Sequence, residues 1–134
     1  MRISLSPALD LLRRAIPSLA GVYLFGSQAT GTAGPDSDVD IAFFAGRALP
    51  QADLLRLREQ VSAVLRHDVD LVDLAGASTI MQMQVLRDGR LEAAPDPNAI
   101  GLFELRVLRD YRDLKMRRAG IEADIVARGR VYGG

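Results

Sequence analysis

Two aspartates, Asp38 and Asp40, bracket the start of a run that alternates like a strand, Val39-Asp40-Ile41-Ala42-Phe43-Phe44, and this run limits what the chain can become. Period-two alternation puts Val39, Ile41 and Phe43 on one face and Asp38 and Asp40 on the other. The apolar face must be covered by other elements, whereas the acidic face must stay open to water or to a cation. The stretch Val69-Asp70-Leu71-Val72 repeats the arrangement, with Val69 and Leu71 on the buried parity and Asp68 and Asp70 on the opposite one. Two strands of matching parity predict a sheet with one carboxylate-bearing face.

The rest of the chain supplies covers for that sheet. Pro7 to Ile16 spaces Leu9, Leu12 and Ile16 as a short amphipathic helix, with Ser6 as a candidate N-cap and Pro7 at the first helical position. Val22-Tyr23-Leu24-Phe25 is a compact strand that ends on Gly26-Ser27, and the glycine, threonine, proline and aspartate of positions 30–37 read as a loop. A strong helix is expected from about Gln51 to Arg66, with an apolar stripe of Leu54, Leu55, Leu57, Val61, Val64 and Leu65. Ser78 caps a further helix carrying Ile80, Met81, Met83, Val85 and Leu86, best read as packing residues, and Asp88-Gly89 turns the chain into a short strand near Leu91.

Beyond Pro95 and Pro97 a long helix runs from about Asn98 to Arg118, lined on one side by Leu102, Leu105, Leu108 and Tyr111 and interrupted at Gly120. Core packing is the simplest account of those leucines, and a partner interface is the other. Strands alternating with helices predict an α/β (α+β) fold: a small mixed sheet of three to four strands with helices packed on one face. The whole of residues 1–134 is expected to form one domain, with a core at about 20–94 and a C-terminal helix and tail at about 98–134.

Composition removes several classes of function. Seventeen basic residues balance seventeen acidic ones, so no global charge favours a nucleic acid, and no direct nucleic-acid binding is expected. Cysteine is absent, which excludes disulfides, thiolate zinc and cysteine nucleophiles and fits a reducing, cytoplasmic setting. Met1 to Leu12 does not read as a signal peptide, and no apolar run approaches membrane-spanning length. The single histidine, His67, reads as a helix-end residue beside Asp68.

An Asp-x-Asp pair on a strand holds two carboxylates on one face with α-carbons roughly 6 to 7 Å apart. The two anions repel, and Mg2+ relieves the repulsion because it takes a few carboxylate oxygens together with phosphate oxygens and water. Asp70 has the parity to add a third carboxylate, with Asp68 as the fallback. Gly26-Ser27 closes an apolar strand, where backbone N–H groups and the Ser27 hydroxyl can approach phosphate oxygens and Gly26 has no side chain in the way. Each feature alone has an ordinary explanation, a solvated strand edge or a common turn. Their succession is what narrows the choice.

Gly26-Ser27 to Gly31 followed by Ser37-Asp38-Val39-Asp40 resembles the signature of the DNA polymerase β-like nucleotidyltransferase superfamily. It is most similar to the smallest members, the minimal (MNT-type) nucleotidyltransferases, which include antitoxins paired with HEPN-domain toxins. The resemblance spans positions 20–75 by motif, with Val69-Asp70-Leu71-Val72-Asp73-Leu74 matching the third-carboxylate strand. It implies the polymerase β-like fold, Gly26 and Ser27 holding the triphosphate of ATP, and Asp38, Asp40 and Asp70 as catalytic metal ligands for two Mg2+ ions, with Asp70 assisting the attacking hydroxyl. It also implies transfer of AMP from ATP to a tyrosine of a HEPN ribonuclease toxin, which silences the toxin. Neutralisation by binding alone and transfer to a small hydroxylated molecule such as an aminoglycoside are the alternatives. A hetero-oligomer with the toxin or a homo-oligomer accords with so short a chain, and self-modification at Tyr23, Tyr111 or Tyr132 stays open.

Overall fold

The computed structural model describes residues 4–26 and 38–132, with side chains described as far as residue 122. The order of elements is α1 (Ser6–Ala15), β1 (Gly21–Phe25), β2 (Val39–Phe44), α2 (Gln51–Leu65), β3 (Val69–Asp73), a 3-10 turn (Leu74–Gly76), α3 (Thr79–Asp88), β4 (Arg90–Ala93) and α4 (Pro97–Tyr132). The strands form one mixed sheet in the order β3-β2-β1-β4. β1 runs antiparallel to both β2 and β4, and β2 runs parallel to β3. A parallel pair needs a long return connection, which α2 supplies.

Alternation divides the core in two. Val22, Leu24, Val39, Ile41, Phe43, Val69 and Leu71 point to one face, where Ala8 and Leu12 of α1 and Leu57, Val61 and Leu65 of α2 cover them. Phe43, Ile41 and Val39 are at most 1% exposed on this face. Of the broad stripe expected on α2, only Leu57, Val61 and Leu65 are buried, while Leu55 and Val64 remain solvent-facing. The helix ends at Arg66, which takes the left-handed conformation at φ 56°.

The small mixed sheet expected from the sequence is the one observed, with four strands, but its layering is fuller than helices on one face. Tyr23, Phe25, Ala42 and Phe44 on the opposite face are covered by Val85 of α3 and by Ile100, Phe103 and Val107 of α4. Phe44 and Phe103 stack with centroids 3.9 Å apart, and the Arg106 guanidinium lies over both rings. α4 comes so close to β1 that a Cβ on Gly21 would stand 2.6 Å from the Ile100 side chain. This cover leaves the carboxylate-bearing end of the face, at Asp40 and Asp70, outside both apolar clusters.

Three local expectations need correction. α1 begins one residue earlier than expected, so Leu5, not Ser6, occupies the N-cap position, and Pro7 falls within the first turn. α4 is 36 residues long and runs straight through Gly120, where the helix meets no neighbouring atoms and glycine costs it only the usual loss of propensity. Leu102, Leu105 and Leu108 are not core residues: they are 69%, 65% and 49% exposed, because the helix turns Ile100, Phe103 and Val107 inward instead. Ser78 caps α3 as expected, its Oγ accepting from Met81 N at 3.1 Å, and Met81 and Met83 pack against the second cluster. No described helix is long and apolar enough to cross a membrane.

Candidate active site

The parallel register of β2 and β3 decides which acidic groups meet. Asp40 is the Cα partner of Asp70, and Asp38 enters β2 from a step earlier, where Val39 N donates to Asp68 O at 2.9 Å. Phe25 is the Cα partner of Asp40 across the antiparallel β1–β2 pair, which brings Gly26 alongside the same carboxylate. Gly26 has φ +71°, a left-handed conformation, and a Cβ built there would collide with Asp40 Oδ2. Glycine is required twice at this position, once by its backbone and once by the carboxylate seated over it. The sequence reading credits Gly26 with room for a phosphate; in the structure the neighbour it makes room for is Asp40.

Asp40 is half-buried, while Asp38 and Asp70 are exposed. Desolvation raises the Asp40 pKa above its ordinary value, and the charges of Asp70 and then Asp38 raise it further. A carboxylate that resists ionisation, through desolvation first and two neighbouring anions second, is one whose charged form a bound cation would favour. Among the described residues no three acidic or histidine side chains are yet gathered closely enough to chelate an ion. The donor set is made of carboxylate oxygens alone, hard ligands of the kind Mg2+ takes.

Other candidates separate cleanly. Ser27, Gly31 and Ser37 lie outside the described residues. Asp68 is exposed and lies before β3 begins. Asp73, at the far end of β3, is buried and structural: its carboxylate accepts from Leu49 N at 2.7 Å and from Ala75 N at 3.2 Å, pinning the β2–α2 connection to the 3-10 turn. His67 behaves as a helix-end residue. A carbonyl can only accept, so Nδ1 donates to Leu65 O at 2.9 Å. Tyr23 is buried with its hydroxyl donating to Glu104 Oε1 at 2.7 Å, and burial, that hydrogen bond and the Glu104 charge push the phenol far above its usual pKa. Such a buried, hydrogen-bonded phenol is a poor nucleophile, which argues against self-modification there.

A groove that residue order does not reveal opens beside Asp38. It has a volume of about 920 Å³ and is lined by Arg58, Glu59, Ser62, Arg66, His67 and Asp68, among others. The left-handed Arg66 is the only trace of it, and backbone conformation at a single non-glycine residue cannot be read from residue order.

Comparison with known proteins agrees with this geometry. The profile described as Polymerase beta, Nucleotidyltransferase matches residues 10–96. Over 119 residues, 89% of this chain and 85% of the other, the sequence is 36% identical to the protein adenylyltransferase MntA of Shewanella oneidensis. A solved toxin–antitoxin structure with AMP-PNP superposes with a TM-score of 0.77 at 36% identity, covering 88% of this chain and 94% of that one. A structure of tri-AMPylated Shewanella oneidensis HEPN toxin in complex with MNT antitoxin superposes with a TM-score of 0.72 at 32% identity, covering 90% and 93%.

Proposed function

Since the chain belongs to the polymerase beta nucleotidyltransferase family, we propose that it is an antitoxin that transfers AMP from ATP to a tyrosine of a partner HEPN toxin, repeatedly, and so neutralises it. The observation that carries this reading is the seating of Asp40 between Asp70, Asp38 and Gly26, in a chain 36% identical to a protein adenylyltransferase. The whole of residues 1–134 acts as one transfer unit in this reading.

Asp38, Asp40 and Asp70 would hold two Mg2+ ions, which would supply positive charge to the triphosphate and to the attacking oxygen. Gly26 and Ser27 support the triphosphate from the end of β1. The acceptor phenol oxygen forms a bond to the α-phosphorus of ATP, the bond from that phosphorus to the β-bridging oxygen breaks, and pyrophosphate leaves with the bonding pair. The phenol proton passes to the Asp70 carboxylate, which is exposed and can release it to water. Positioning and electrostatics provide most of the acceleration in phosphoryl chemistry, so a short chain suffices.

The test is to incubate the chain and its toxin with labelled ATP and Mg2+, and to repeat it with Asp38→Ala plus Asp40→Ala. Label on a toxin tyrosine that disappears with the double substitution is the expected result; neutralisation that persists without label overturns it. One observation favours a second reading, neutralisation by binding alone: the outward row of Leu102, Leu105 and Leu108 on α4. The same experiment separates the two.

A further inference from the structure

The sheet has two edges, β3 and β4, and they are built differently. The pairing of β4 with β1 shifts register between Val22 and Tyr23, and Arg90 and Glu92 on β4 form an ion pair at 2.6 Å, devices that discourage a further strand. β3 stays in register with β2 from Val39↔Val69 to Phe43↔Asp73 and carries neither device. Val39 N donates to Asp68 O, so in this parallel ladder the backbone groups of Asp70 and Val72 face β2, and those of Val69, Leu71 and Asp73 face outward. Ser62 Oγ of α2 accepts from the outward Val69 N at 3.2 Å. The outward N–H and C=O of Leu71 have no partner among the described residues. Leu71 is 5% exposed, so these groups are poorly hydrated and gain more from a partner than they would in open water.

This edge adjoins the carboxylates. Asp70 stands between Val69 and Leu71 and is the Cα partner of Asp40. A strand added to β3 runs about 4.8 Å from it, and the residue opposite Asp70 projects from the same face with its Cβ about 4.5–5.5 Å away. A tyrosine there is long enough to bring its phenol oxygen over the Asp70 carboxylate. The side chains before and after it turn to the α2 side, where the groove lined by Ser62, Ala63 and Val69 has room for them. A second copy of this chain fits less well. Two β3 strands paired antiparallel about Leu71 set two Asp70 carboxylates on one face, where like charges repel.

We propose that the acceptor tyrosine arrives in an extended segment of the partner that adds as a strand to the outer edge of β3, hydrogen-bonded through Leu71, with the tyrosine opposite Asp70. This rests on the transfer reading above and states the conformation in which the acceptor is recognised. Backbone groups supply the affinity in such a contact and the alternate side chains supply the selectivity. A tyrosine inside an intact helix, whose backbone groups are already bonded to one another, is refused.

Two measurements test the edge. Amide exchange resolved by NMR is compared for the chain alone and with unmodified toxin, without ATP. In the free chain the ladder is expected to protect Asp70 and Val72 more than Leu71, and the toxin is expected to slow Leu71 by about tenfold or more, since exchange then requires the added strand to open. An unchanged Leu71 overturns the proposal. So does a Leu71 whose protection in the free chain grows with concentration, which is pairing between two copies. The second measurement replaces the Leu71 amide by an ester, through the α-hydroxy acid counterpart of leucine; this removes the outward N–H and leaves the side chain and the Asp70 carbonyl in place. The KM for the toxin is expected to rise about 3- to 10-fold with kcat unchanged, the worth of one hydrogen bond. An unchanged KM overturns the edge site, as does a fall in kcat alone, which is a disturbed Asp70 and not a lost contact. A wild-type chain that transfers AMP leaves the transfer reading intact under either negative result; a wild-type chain that transfers nothing defeats both.

Discussion

At the scale of single residues, Gly26 and Asp40 form one unit. Gly26→Ala imposes a left-handed backbone on alanine, about 1–2 kcal/mol, and drives a methyl group into Asp40 Oδ2. Thermal unfolding is expected to shift downward, with transfer activity lost to a greater degree than stability because the displaced group is the central carboxylate. Asp40 also gives the site a characteristic response to pH. Its folded pKa lies above the ordinary 3.8, so the folded chain holds that proton more tightly than the unfolded one. Stability therefore falls as pH rises from 3.8 through the raised value. Asp40→Asn, measured without metal, is expected to melt above the wild type at neutral pH, with the gap closing towards acid. The same variant is expected to lose transfer by about 100-fold or more in a pyrophosphate-release assay. Identical melting curves across pH would show that Asp40 does not hold its proton more tightly in the folded chain.

Among the elements, those whose pattern comes from a single period were legible in the sequence: β2 was placed at Val39 to Phe44 from alternation alone, and α3 was placed from Ser78. The failures concern which side of an element faces inward. On α4 the leucines at 102, 105 and 108 and the residues Ile100, Phe103 and Val107 form two competing apolar rows, and helical spacing does not choose between them. The choice is made by β1 and β2, whose Phe44 stacks on Phe103 and whose Gly21 admits Ile100. Phe103→Ala is accordingly expected to cost about 3–5 kcal/mol in chemical denaturation, whereas Leu102→Gln with Leu105→Gln is expected to stay within about 0.5 kcal/mol per site. The candidate site was legible for a related reason. Asp38, Asp40 and Asp70 follow from strand parity, which residue order records, while the groove beside Asp38 is lined mainly by residues of α2 and of the turn after it, which come together only through packing.

For the whole molecule, one hydrogen bond ties the sheet to its outer helix: Tyr23 of β1 to Glu104 of α4. Because folding raises the Tyr23 pKa, the neutral phenol is favoured in the fold, and stability is lost as pH climbs past the unfolded value of 10.0. Tyr23→Phe is expected to cost about 1–3 kcal/mol at neutral pH. Its deficit should narrow in alkali, as followed by denaturant midpoints at rising pH, and a deficit that stays constant would mean that the phenol does not feel the fold. The parallel pairing of β2 with β3 has a different kind of consequence. Asp40 and Asp70 are adjacent in space yet separated along the chain by the full length of α2, and a contact of that kind forms only after the intervening helix has folded back. A nascent chain that has passed Asp40 but not Asp70 therefore holds an incomplete set of carboxylates, and the set closes only when the last of the central strands docks.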